Sequence, residues 1–234
     1  MSPERYARIT QMLNHRQPEL TVCMEQVHKP HNLAAIVRTA DAVGVSDVHA
    51  TWSDKAMRVS GKSATGSQNW VTVHSHDSIS DAITVMRKQG MQIIATNLSD
   101  SAIDFREVDY TKPTAILLGQ EKTGITDEAL ALADQDVIIP MAGMCQSLNV
   151  SVASALILYE AQRQRQLANM YNGECRLAAD EVHRILFEGG HPIFTKLCKE
   201  KNLPYPPLDE MGQINADTDW WNAIRSSVKS DKNK

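Results

Sequence analysis

No Cys-x-x-Cys pair occurs in this 234-residue chain, and its four cysteines, Cys23, Cys145, Cys175 and Cys198, lie far apart. That spacing argues against a zinc site and a disulfide framework; reduced thiols in a cytoplasmic protein and no bound metal are the expectation. No run approaches the roughly eighteen apolar residues of a membrane span. The opening Met1-Ser2-Pro3-Glu4-Arg5 leads into polar sequence, so neither a membrane partner nor a secretory signal is expected. There is no Gly-x-Gly-x-x-Gly, which removes the dinucleotide fingerprint. Two stretches approach a phosphate loop without completing it. Gly61-Lys62-Ser63 has the right ending, but Ala56 stands where the first glycine belongs; Gly119 to Gly124 follows a good strand, but Ile125 replaces the lysine. An α/β NTPase is a poor reading.

What is present is ordinary in bulk and uneven in detail. Apolar residues make up 42% and charged residues 22%, enough for one large α/β domain with appendages. Net charge is −4, but residues 21–160 hold ten Lys/Arg against sixteen Asp/Glu, whereas residues 1–20 and 161–234 are each +1. An acidic body with mildly basic ends suits RNA held by the ends and chemistry in the middle.

Periodicity predicts a helix over 6–13, a strand over 20–26, a helix over 32–43 capped by Asn32 and closed by Gly44, and a strand over 48–52. A loop over 53–69 follows, then a strand over 71–74, a helix over 78–88, strands over 91–96 and 114–118, a helix over 127–133 and a strand over 137–139. A long helix spans 150–167. These alternations predict an α/β fold, a mostly parallel sheet flanked by helices. Beyond about 164 the pattern is helical, over 180–187 and 192–201, with a patch at Trp220-Trp221. The division expected is an N-terminal helical extension over 1–19, a main α/β domain over 20–164 and a C-terminal helical extension over 165–234.

Three segments invite a functional reading. In Ile138-Ile139-Pro140-Met141-Ala142-Gly143-Met144-Cys145-Gln146-Ser147-Leu148-Asn149-Val150-Ser151, a strand crosses a small-residue loop and enters a helix. A core alone does not require Gly143, Gln146, Ser147 and Asn149 in one loop. Leu117 to Thr126 places Gly119 at a strand end, where ligands of open α/β sheets bind; its bland alternative is a plain βα turn. Along 32–44, Leu33, Ile36, Val37, Ala40 and Val43 share one face while Arg38 lies nearly opposite, and a surface ion pair with Asp41 is the ordinary explanation. The helix from Val150 is apolar nearly all round, which predicts burial on every side and a homodimer.

Taken in order, Asn32-Leu33-Ala34-Ala35-Ile36-Val37-Arg38-Thr39-Ala40, Leu118-Gly119-Gln120-Glu121-Lys122-Thr123-Gly124-Ile125 and Ile139-Pro140-Met141 through Ser147-Leu148-Asn149-Val150-Ser151 resemble the three signature motifs of the SpoU-type 2′-O-ribose methyltransferases of the SPOUT class. The resemblance extends along the whole chain and looks closest to members that methylate a D-loop guanosine of bacterial tRNA. It implies a parallel sheet whose C-terminal part forms a deep trefoil knot, an obligate homodimer, a tRNA substrate and S-adenosylmethionine as methyl donor, leaving S-adenosylhomocysteine. It implies cofactor contacts at Thr96, Gly119, Ile139, Ser147 and Leu148, and a reaction centre of Asn32, Arg38, Glu121, Ser147 and Asn149. A ribosomal-RNA target and a non-catalytic RNA-binding protein on the same fold are the alternatives; the intact motif residues argue against the latter.

The chemistry can be judged separately. A ribose 2′-hydroxyl is a poor nucleophile until its proton leaves, and no His or Cys in the motifs is an evident base. Neutralising a guanidinium at pH 7 costs roughly 7 kcal/mol, so Arg38 is expected to orient the hydroxyl and steady the developing alkoxide rather than take its proton. RNA capture is expected at Arg8, Arg16, Arg163 and Arg165, whose plain alternative is a solvated helix face; DNA is not expected as a partner.

Overall fold

The structure is a computed structural model that describes residues 1–52, 66–120 and 122–226. The Gly61-Lys62-Ser63 fragment, most of the expected 53–69 loop and the reaction-centre candidate Glu121 lie outside the described residues. The chain forms two compact units, one of Arg16–Asn172 and one of Met1–His15 with Gly173–Lys234. Both ends of the chain fall in the smaller unit.

The strands among the described residues are β1 (Leu20–Glu25), β2 (Asp47–Thr51), β3 (Thr72–His76), β4 (Gln92–Thr96), β5 (Ile103–Asp104), β6 (Thr114–Leu118) and β7 (Gln135–Ile138). The helices among the described residues are α1 (Pro3–Leu13), α2 (Pro30–Ala42), α3 (Ile79–Lys88), α4 (Asp127–Ala131), α5 (Val150–Leu167), α6 (Ala179–Gly190), α7 (Pro192–Lys201) and α8 (Thr218–Arg225). The sheet of the larger unit runs β3-β2-β1-β6-β4-β7-β5, every pairing parallel. Every residue of the central strands β1 and β6 is buried, as a parallel sheet covered on both faces requires.

Alternation sorts the two faces. Val22, Met24, Val48, Ala50, Ile94, Ile116 and Leu118 point to one core with Leu33, Ile36 and Val37 of α2 and Ile157, Leu158 and Ala161 of α5. Cys23, Ile93, Ala95, Ala115 and Leu117 point to the other, with Ile79, Ala82, Ile83 and Met86 of α3 and Ala129 of α4. At the β2–β3 edge the second face is polar. His49, only 4% exposed, shares a hydrogen bond between its Nδ1 and Nε2 of His76 at 2.8 Å, and His74 Nε2 meets Asp47 Oδ1 at 2.7 Å. Burial foremost, then the neighbouring His74 and His76, pushes His49 down to about 4. Burial followed by His74 lowers His76 as well.

Three expectations change here. Asn32 does not cap α2: Pro30, well suited to a first helical turn, starts the helix at itself, with Lys29 as N-cap, and Asn32 is a buried residue of the first turn. Arg16 and Arg165 are not surface arginines. Arg16, 1% exposed, donates to Val45 O, Trp70 O and Asp41 Oδ1 at 2.8 to 3.0 Å. Arg165, fully buried, donates to the carbonyls of Tyr110, Glu19 and Lys112 and to Gln17 Oε1. A guanidinium has donors enough to satisfy a cluster of loop carbonyls, and here that outweighs its hydration. Finally, α5 is not buried on every side: Val152, Leu156 and Tyr159 are 47%, 42% and 53% exposed, while Ser154, Ile157, Leu158 and Ala161 are sealed.

The smaller unit has its own core of Phe187, Cys198, Trp220 and Ile224, with Tyr205 stacked on Phe187 at 4.5 Å between ring centres. Among the described residues, no helix is long and apolar enough to cross a membrane.

Candidate active site

A cleft of about 760 Å³ opens at the carboxyl ends of β4, β6 and β7, the edge where open α/β sheets bind ligands. Thr96, Gly119, Ile139, Ser147 and Leu148 all line it, although they come from three stretches of chain far apart in sequence. Each has a local reason for its place. Thr96 ends β4 and its hydroxyl donates to Leu117 O at 3.1 Å, tying two strand ends together. Gly119 follows β6 and is buried beneath its own loop, and a Cβ there would stand 2.3 Å from the carbonyl carbon of Gly124. The loop closes through paired backbone bonds, Gln120 N to Gly124 O at 3.0 Å and Gly124 N to Gln120 O at 2.9 Å. Gly124 has φ +72°, so both glycines are structural requirements of this turn.

The 140–149 loop forms the outer wall. Ser147 is exposed, Leu148 half-buried, and Asn149 caps α5 by accepting from Ser151 N at 2.9 Å. The other end of the same amide donates to Asn32 Oδ1 at 3.2 Å, joining the first and third motifs. Arg38 stands apart. It is exposed on α2, does not line this cleft, and has no ion-pair or hydrogen-bond partner among the described residues; the expected Asp41 pairing fails because Arg16 occupies that carboxylate. Of the RNA candidates, Arg8 is exposed on α1, and Arg163 is exposed but held by Glu160 at 2.7 and 2.8 Å.

The cleft also contains residues that sequence reasoning passed over: Lys29, Asn97, Leu98 and Gln120. Leu98 is 79% exposed at the rim. Its loop is held by Asn97 Nδ2 and Ser99 Oγ, which donate to Asp136 Oδ2 at 2.9 and 2.7 Å. The polar punctuation after β4 was the available signal, but it does not distinguish a ligand rim from an ordinary turn.

Sequence comparison agrees with this geometry. The SpoU rRNA methylase family matches residues 19–159 and its C-terminal region matches 163–217, so the chain belongs to the SpoU methylase family. A tRNA (guanosine(18)-2′-O)-methyltransferase of Escherichia coli K12 is 63% identical over 228 residues, 97% of this chain and all of that protein. The crystal structure of the Aquifex aeolicus TrmH/SpoU tRNA modifying enzyme superposes with a TM-score of 0.75 at 40% identity, covering 81% of this chain and 96% of that one. The SpoU methyltransferase AviRb of Streptomyces viridochromogenes, solved with AdoMet, gives 0.58 at 32% identity, covering 65% and 62%.

Proposed function

We propose that this protein transfers a methyl group from S-adenosylmethionine to the ribose 2′-oxygen of guanosine 18 in tRNA, in the cytoplasm. The observation that carries the reading is the meeting of Thr96, Gly119, Ile139, Ser147 and Leu148 around one cleft whose wall is bonded to Asn32 through Asn149. Near-full-length likeness to a tRNA guanosine methyltransferase supports the substrate.

The residues present fit the cofactor. The cleft volume suits a ligand of that size, Gly119 contributes to its wall at a strand end, and Ile139 and Leu148 offer an apolar slot edged by peptide groups. When bound, the cofactor supplies an electrophilic methyl on a sulfonium and leaves as S-adenosylhomocysteine. The chain's part is orientation. Asn32 and Asn149 hold the floor of the reaction centre, Ser147 presents a hydroxyl at its mouth, and Glu121 is assigned to the same centre by the second motif alone. Arg38 keeps its charge and donates to the ribose oxygen as negative charge grows there, with a substrate phosphate as proton acceptor.

Because Arg38 is absent from its own chain's cleft, we read the working enzyme as a homodimer in which Arg38 arrives from the second protomer. The outward stripe of Val152, Leu156 and Tyr159, spaced by four and three along α5, is the apolar face such a dimer would cover. The passage from β6 to α5 is read as the trefoil knot of the family. Arg8 and Arg163 are read as phosphate contacts.

The test is direct. Protein, labelled S-adenosylmethionine and unmodified transcripts of tRNA and ribosomal RNA are incubated, and the modified ribose is mapped. Label at guanosine 18 of tRNA supports the proposal; label confined to ribosomal RNA replaces the substrate, and absence of label from both transcripts removes the activity.

A further inference from the structure

Glu25, the last residue of β1, is a carboxylate only 3% exposed at the active-site edge of the sheet. Both its oxygens are spent on one residue 101 positions away. Oε2 accepts from Thr126 N at 2.9 Å, and Oε1 accepts from Thr126 Oγ1 at 2.7 Å. Thr126 is also the N-cap of α4, its hydroxyl oxygen accepting from Ala129 N at 3.3 Å. The hydroxyl proton is therefore committed to Glu25 and its lone pair to the helix.

Strand register gives this pair its meaning. Met24 lies opposite Leu118, so Glu25 stands level with Gly119, where the second-motif loop begins. Thr126 is where that loop ends. The carboxylate thus bridges from beside the start of the loop to its finish, and Gly119, Gln120 and Gly124 of the cleft wall lie between those two points in the chain. Burial of a carboxylate is costly unless its lone pairs are filled. A neutral side chain could serve helix capping alone. A carboxylate adds a rigid acceptor-only fork that fixes the direction of both Thr126 donors, whereas an amide can turn over and reverse one of them.

We infer that Glu25 is a positioning residue for catalysis: through Thr126 it fixes the two ends of the second-motif loop, and with them Gly119, Gln120 and Gly124 of the cleft wall. The inference rests on the proposed methyl transfer for its kinetic readouts, but not for its structural one.

The experiment compares wild type with Glu25→Ala, Glu25→Gln and Thr126→Val at a temperature where circular dichroism shows each to be folded. Three quantities are read: S-adenosylmethionine affinity by calorimetry, kcat and KM for tRNA, and amide exchange at Gln120 and Gly124. In Glu25→Ala and Thr126→Val, exchange at those two amides is expected to speed roughly tenfold while β6 amides are unchanged. Cofactor affinity or kcat should fall about tenfold with KM for tRNA within about twofold. Glu25→Gln should recover part of the loss. Should Glu25→Ala not fold, Thr126→Val and Glu25→Gln are judged by the same measures. A folded variant that melts lower yet keeps exchange, affinity and kcat within about twofold of wild type makes Glu25 a support for the Thr126 cap only and overturns the inference. If exchange and cofactor affinity depend on Glu25 while wild type does not methylate tRNA, the proposed reaction fails and the loop-positioning role stands.

Discussion

Asn149 serves two helices with one amide: its oxygen accepts from Ser151 N at 2.9 Å to begin α5, and its nitrogen donates across to Asn32 of α2 at 3.2 Å. The two duties separate by substitution. Asn149→Ser should keep the cap, holding stability within about 1 kcal/mol, because Ser and Asn cap about equally. It cannot span to Asn32, and kcat should fall by roughly tenfold or more. Thermal melts and single-turnover assays check both halves; an unchanged kcat would detach the Asn32 link from the reaction.

Arg38 is predicted to act across the dimer. Arg38→Ala and Asn149→Ala proteins should each be nearly inactive alone. Mixed and re-equilibrated, about half the dimers are mixed and one of their two sites is intact, so activity should return to about a quarter of wild type. No recovery would place Arg38 and Asn149 in the same protomer's site. Arg38→Lys, which keeps the charge but loses the planar fork, should remain poor.

The arginines divide by burial. Arg165→Ala orphans several buried carbonyls and should cost roughly 3 kcal/mol or more in urea unfolding. Arg8→Ala should leave stability within about 0.5 kcal/mol but flatten the salt dependence of tRNA binding by roughly one unit. A stable Arg165→Ala with a flattened salt slope would return that residue to the RNA surface.

Low pH should weaken the fold through His49. Burial, then His74 and His76, lowers its folded pKa to about 4 from an ordinary 6.5, so folding favours the neutral ring. Its contribution is whole above pH 6.5 and is lost as pH falls toward 4, amounting to about 2 kcal/mol by pH 5. His76, lowered by burial and by His74, adds in the same direction, while Asp81 opposes. Asp47, on which burial acts upward, is held below its ordinary value by hydrogen bonds from His74 and Ser46. Its support is likewise lost at still lower pH. Urea titrations at pH 7.5 and 5 should show His49→Asn losing about 2 kcal/mol less than wild type; equal losses would clear His49.

Gly119→Ala tests the turn itself. A methyl 2.3 Å from backbone of Gly124 must displace the loop, and cofactor affinity should drop about tenfold or more. Calorimetry that finds wild-type affinity would show that the loop can move aside without consequence.

Much of this architecture was legible from local pattern. The span of α5 and of α7 follows from caps and periodicity, and the motif residues around the cleft follow from strand ends and family resemblance. The start of α2 was also within reach, since Pro30 suits a first helical turn better than Asn32 suits the cap position. Arg16 and Arg165 were not. A charged residue at a helical or terminal position looks like surface, and nothing local announces that carbonyls of Tyr110, Glu19 and Lys112 will converge on Arg165. The Glu25–Thr126 pairing is nonlocal in the same way, made by the neighbouring of β1 and β6 and not by any spacing. Helix α5 illustrates a subtler failure: its apolar content is real, but Val152, Leu156 and Tyr159 remain uncovered within one chain.

That helix has two customers. Ala153 and Ile157 wall the cleft, while Val152 and Leu156, one residue before each, look outward from the same turns. Whatever fills the hollow on one side and whatever covers the other side must lean on a shared rod. For the proposed homodimer, reciprocity requires that the factor by which the donor molecule changes self-association equal the factor by which self-association changes its capture.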